Sequence, residues 1–187
     1  MHSFLEMPSI RQRISRITVD EYHLQPEYNA NGKRTELLRG IVFEKKRKPP
    51  LRSYTTQCLH DKLWQVTPPE YHVRCHEPLT LLDSEPEPDV AIAWGSIDNY
   101  RDAHPATALL VAEVAVETYE EDCQRSFIYA EAGVNEYWIV LPEERRVEVR
   151  RLPVEGRYTE VTSHTVANII QCCALPIKVS LTELFRW

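Results

Sequence analysis

The sequence predicts one mixed α/β (α+β) domain built on a single central sheet with helices packed against it. Three observations carry that expectation. The chain has 187 residues, enough for one domain with a sizeable core. Short apolar runs bounded by turn residues recur between residues 71 and 165. A single helical stretch, over 118–133, separates two groups of them.

Residues 1–16 carry no pattern and are expected to be irregular, with the domain spanning 17–187. "TVDEYHLQ" (18–25) reads as a short helix, capped by Thr18 with Glu21 at the capping-box position. "EYNANGK" (27–33) is a loop. "RTELLRGIVFEKK" (34–46) alternates around Gly40, as a hairpin or bulged strand pair would. After "RKPPL", the stretch 52–66 has helical spacing through Tyr54, Cys58, Leu59, Leu63 and Val66. Strands are expected at 71–82, 89–94 and 108–116. The helix over 118–133 takes Thr118 as its cap, Glu120 and Glu121 at its positive end and Gly133 as its stop. Strands follow at 136–142, 146–153 and 157–165, and a short helix at 179–185.

Composition narrows the function. The net charge of −6 is not that of a chain coating itself in nucleic acid. Basic residues cluster locally, in "EKKRK" (44–48), Arg52 and "ERRVEVRR" (144–151). Such clusters suit solvated turns and strand edges, and equally a phosphate backbone. The five cysteines include no Cys-x-x-Cys pair, which argues against a disulfide framework or a zinc ribbon. His72 and His76 flank Cys75 on one strand, a weak metal signal. No segment reads as a secretory leader or membrane span, so the expected location is cytoplasmic.

Carboxylates stand where core residues should be. In the run 108–116, Leu109, Val111, Glu113 and Ala115 share one face of a strand that is apolar on both. A buried carboxylate is costly unless it meets a cation. That cation is either an arginine from the next helix or a metal shared with other carboxylates. Asp89, opening a strand after Pro88, is the natural second member, and Glu36 a third. Oxygen donors without soft ligands favour Mg²⁺ or Mn²⁺ over zinc. On the helix, Glu121, Arg125 and Tyr129 form one i, i+4, i+8 stripe. It is either an exposed ion pair or a face turned toward Glu113.

With these residues in place, the chain resembles the PD-(D/E)xK nuclease superfamily, and within it the Uma2 (DUF820) restriction endonucleases. The marks are "TVDEY" (18–22), "TELLRGIVFEKK" (35–46), "EPDVAIA" (87–93), "LLVAEVAVET" (109–118) and "RSFIYAEAGVNEYWIVLP" (125–142), the last being the most specific. The resemblance implies a restriction-endonuclease-like fold, with Glu36, Asp89, Glu113 and the carbonyl of Val114 as ligands of Mg²⁺ or Mn²⁺. It further implies cleavage of DNA by a metal-activated water, and a homodimer.

Arg125 stands where the family carries its helix lysine, and Ala115 where the superfamily carries its strand lysine. Val116–Glu117 replaces the usual serine. Arginine keeps the positive charge but does not exchange a proton near neutrality. Lys45, Lys46, Lys48, Arg52, Arg145 and Arg146 are the expected backbone-contacting residues. The alternative is a nuclease-fold relic that no longer cleaves and serves as a DNA- or protein-binding regulatory module.

Overall fold

The computed structural model describes residues 7–30 and 32–187. Within the expected irregular segment 1–16, Pro8–Arg11 forms one helical turn (α1) followed by a turn at Gln12 and Arg13; residues 1–6 lie outside the described residues. Helix α2 (Val19–His23) starts as its sequence dictates. The Thr18 hydroxyl accepts from the Glu21 amide, and the Glu21 carboxylate accepts from the Thr18 amide. Strands β1 (Thr35–Leu38) and β2 (Ile41–Glu44) form the expected hairpin. Gly40 turns it with φ 73°, and a Cβ there would lie 2.7 Å from the Arg16 Cβ.

Helix α3 (Pro50–Val66) precedes a six-stranded sheet made of β3 (Tyr71–Cys75), β4 (Val90–Trp94), β5 (Leu110–Val114), β6 (Glu136–Leu141), β7 (Arg146–Val154) and β8 (Arg157–Thr165). The strands lie side by side in chain order. Only β5 and β6 are parallel, because helix α4 (Tyr119–Glu131) carries the chain back between them. A second two-stranded sheet, β9 (Ile169–Gln171) with β10 (Lys178–Ser180), leads into α5 (Leu181–Leu184).

Period-two alternation sorts the core into two layers. Leu110, Ala112 and Val114 of β5, with Trp138 and Val140 of β6, share one cluster with Leu59 and Leu63 of α3 and Leu181 of α5. Val111 of β5, with Tyr137 and Ile139 of β6, packs against Ile128 and Tyr129 of α4. Glu113 thus belongs to the α4 side of a strand whose residues are all buried.

Two expected boundaries shift, and one cap bonds differently. The strand over 71–82 stops at Cys75, since His76 takes a left-handed φ of 56°. The chain after it folds into a turn, with Leu81 donating to the Ser84 carbonyl and Glu85 to the Leu37 carbonyl. Thr118 occupies the cap position of α4, yet its hydroxyl bonds the Asp122 carboxylate rather than a backbone amide. The closing helix is shorter than 179–185, because Val179 and Ser180 pair with β9.

Candidate nuclease centre

Strand register brings two of the carboxylates together. Val90 of β4 faces Ala112 of β5, so one residue further along Asp89 falls opposite Glu113. The contacts agree: the Asp89 amide lies 3.3 Å from Glu113 Oε2, and the Val114 amide donates to Asp89 Oδ2 at 2.9 Å. Both side chains are almost wholly buried. Burial, then the charge of Asp89, pushes the Glu113 carboxyl up to about 8, against the pull of Arg125 and Arg52. Tyr129 of α4 donates to Glu113 Oε1 at 2.8 Å.

Arg52, on the first turn of α3, inserts between the pair. Its guanidinium is 2.8 Å from Asp89 Oδ2 and 3.4 Å from Glu113 Oε2. Asp89 Oδ1 is buried with no hydrogen-bond partner; Lys48 Nζ and His76 Nδ1 each lie 3.5 Å from it. Lys48 and His76 in turn touch, Nζ to Nδ1, at 2.6 Å. Burial and the adjacent Lys48 lower His76 to about 4, so the imidazole is neutral beside the ammonium.

Glu36 is held apart from this pair. The Arg125 guanidinium clasps it with both terminal nitrogens, one at 3.0 Å, while Lys45 lies 3.9 Å away. Burial raises the Glu36 carboxyl, but Arg125, Lys45 and the Glu87 backbone outweigh it and leave the net below the usual range. Among the described residues, no group of three His, Cys, Asp or Glu side chains stands ready to hold one ion. Of the three expected acids, Asp89 and Glu113 touch each other, and Glu36 touches Arg125. Each carboxylate instead meets an arginine, Glu36 meeting Arg125 and Asp89 with Glu113 meeting Arg52.

A cleft of about 630 Å³ opens beside these groups, lined by the hairpin, Arg52 of α3, Glu113 and one side of α4. Lys45, Lys46, Lys48 and Arg52 all line it. Lys45 pairs with Glu87 at 2.8 Å, and Lys46 reaches Glu121. Arg145 stands on the β6–β7 turn and Arg146 opens β7, and neither lines the cleft. The first bonds the Trp187 carbonyl and the second pairs with Glu144. The stripe Glu121–Arg125–Tyr129 divides by depth, its members meeting Lys46, Glu36 and Glu113 respectively.

Several contacts at the site escaped the sequence reading. Asp122 is buried beside Arg125, 3.7 Å from its Nε, and burial pushes its carboxyl up to about 6. The adjacency of Lys48 to His76 has no sequence signal, as 28 residues separate them. Arg52 sits within a basic stretch of sequence, and nothing in its neighbours marked it as a partner of Asp89. His72 packs edge-on against Trp64, away from His76.

The model of the Uma2 family, described as "putative restriction endonuclease", matches residues 19–183. No curated protein matches the chain. Among solved structures, a nuclease of the DUF820 group from Anabaena variabilis ATCC 29413, itself described as putative, superimposes with a TM-score of 0.75 at 15% identity. The match covers 91% of this chain and 98% of that one. At that identity the likeness speaks for the fold. The family match spans nearly the whole chain and includes every residue of the cleft, and on it the chain belongs to the Uma2 family.

Proposed function

We propose that the protein is a Mg²⁺- or Mn²⁺-dependent endonuclease that hydrolyses phosphodiester bonds of DNA. The observation that carries this is the buried pair Asp89–Glu113, whose Glu113 lines a lysine-rich cleft and whose Asp89 Oδ1 has no hydrogen-bond partner. The donors are hard carboxylate oxygens, which fit a hard divalent cation. Asp89 and Glu113 would hold it, joined by the Val114 carbonyl and by Glu36 once freed from Arg125. A cation so held supplies an activated water and neutralises phosphate charge.

The remaining work falls to the chain's own groups. Lys45, Lys46 and Lys48 draw the phosphate backbone into the cleft and position it. Arg125, which clasps Glu36 in the metal-free structure, would supply fixed positive charge to the phosphate once Glu36 turns to the metal, a contribution that needs no proton exchange. Tyr129 fixes Glu113 in orientation through its hydroxyl. A second copy of the chain would allow both strands to be cut.

A specific observation also favours a second reading. Glu36 is matched by Arg125, and Asp89 with Glu113 by Arg52 and Lys48, so three acids face three cations as a set of plain ion pairs. A nuclease-fold module that binds without cleaving would look the same. Relaxation of supercoiled plasmid in Mg²⁺ or Mn²⁺ separates the two. The nuclease reading expects cleavage by the wild type that Asp89→Ala and Glu113→Ala abolish. A wild type that retains DNA binding but never nicks would leave the second reading standing.

A further inference from the structure

We propose that Arg52 is a resident counter-cation that stands in the divalent-ion position and must leave before metal binds, tying metal loading to nucleic-acid binding. The inference rests on the metal-nuclease reading above. Its geometry is direct. The guanidinium contacts both members of the carboxylate pair, at 2.8 Å and 3.4 Å, which is the place an ion shared by them would take. A divalent ion and a guanidinium cannot both sit there, since like charges at contact distance repel in a poorly solvated site.

Asp89 Oδ1 is the second observation. Arg52 bonds Oδ2 only; the other oxygen, fully buried, makes no hydrogen bond, with Lys48 Nζ and His76 Nδ1 each 3.5 Å away. A guanidinium thus serves this pair incompletely, whereas a metal ion could take an oxygen from each carboxylate.

Arg52 is placed to be displaced. It lies in the first turn of α3, where the helix dipole disfavours a cation, so the acids alone retain it. Its side chain is 16% exposed and lines the cleft, so a path outward exists. On that wall stand Lys45, Lys46 and Lys48, the residues suited to a phosphodiester backbone. Phosphate oxygens accept a guanidinium bidentately and would receive it as the metal enters. Metal and nucleic acid then reinforce each other's binding, and the coupling is reciprocal.

The test is Mn²⁺ titration by calorimetry on wild type, Arg52→Ala and Arg52→Gln, each with and without a short phosphorothioate DNA duplex. Asp89→Ala serves as the site control. Cooperative thermal unfolding of the same proteins without metal shows that each variant is folded, and Mn²⁺-dependent rises in melting temperature give a second readout of binding. The expected result is Mn²⁺ binding roughly tenfold or more tighter in both Arg52 variants than in wild type without DNA. The duplex should tighten Mn²⁺ binding to wild type and leave the variants little changed. Wild-type Mn²⁺ binding that needs Asp89 yet is equalled or weakened in both Arg52 variants overturns the role of Arg52 and leaves the metal site intact. Absence of Mn²⁺ binding to every folded protein at millimolar metal overturns both.

Discussion

Tyr129 donates its hydroxyl to Glu113 across 2.8 Å, joining helix α4 to strand β5 inside the core. Both side chains are essentially inaccessible to solvent, so the bond has no water to replace it. One oxygen of Glu113 is thereby held by α4, and the other is left toward Asp89 and Arg52.

Removing that hydroxyl should be felt as lost stability. Tyr129→Phe leaves a buried acceptor unsatisfied and is expected to cost roughly 1–3 kcal/mol. Urea unfolding checks it, as a shift of midpoint at unchanged slope. A variant as stable as wild type would mean the Glu113 oxygen finds another donor.

Arg125 offers a separation of charge from proton chemistry. Arg125→Lys keeps the charge but loses the fork that clasps Glu36. If Arg125 acts through charge alone, its cleavage rate should stay within about tenfold of wild type, well short of the 10²–10⁴-fold typical of proton transfer. Arg125→Ala strips Glu36 of its partner and should cost roughly 3 kcal/mol or more of stability, as for other broken buried pairs. Plasmid nicking rates and thermal unfolding of the two variants provide the measurements.

Acid should weaken the fold through Glu136. This fully buried carboxylate accepts from Trp138 Nε1 at 2.7 Å, the Cys173 amide at 2.8 Å and Arg151 at 3.0 Å. Burial raises its pKa, but these donors together bring it below the ordinary 4.5. The ionised form is therefore favoured in the fold. Its contribution is complete above the unfolded pKa and is lost as pH falls through the folded value. Glu136→Gln should be less stable than wild type at pH 7 and lose less on acidification below pH 4.5. Melting temperatures from neutral to acid pH test the difference in slope.

The hairpin carrying Glu36 depends on Gly40. A side chain there meets both the left-handed φ of 73° and the Arg16 Cβ at 2.7 Å. Gly40→Ala should cost about 1–3 kcal/mol through strain and the displaced neighbour. Faster amide exchange over β1 and β2 than over the central sheet would localise the damage.

Periodicity alone made much of the fold legible. The alternation in 108–116 placed Glu113 on the face shared with Val111, and the capping box at Thr18–Glu21 is an interaction between chain neighbours. Such features depend on local stereochemistry, which a sequence records directly. The end of β3 at His76 was hidden, because a left-handed residue without glycine leaves no compositional mark.

The electrostatic arrangement of the cleft belongs to the tertiary structure. By itself the sequence determined that Glu113 and Asp89 open or occupy apolar strands and so need a positive partner. Which partner each obtains depends on distance in space: Arg52, 37 residues before Asp89, and Arg125, 89 residues after Glu36. Coulomb attraction in a poorly solvated interior rises steeply as charges approach, so a few ångströms of packing choose between candidates that the chain order leaves equivalent.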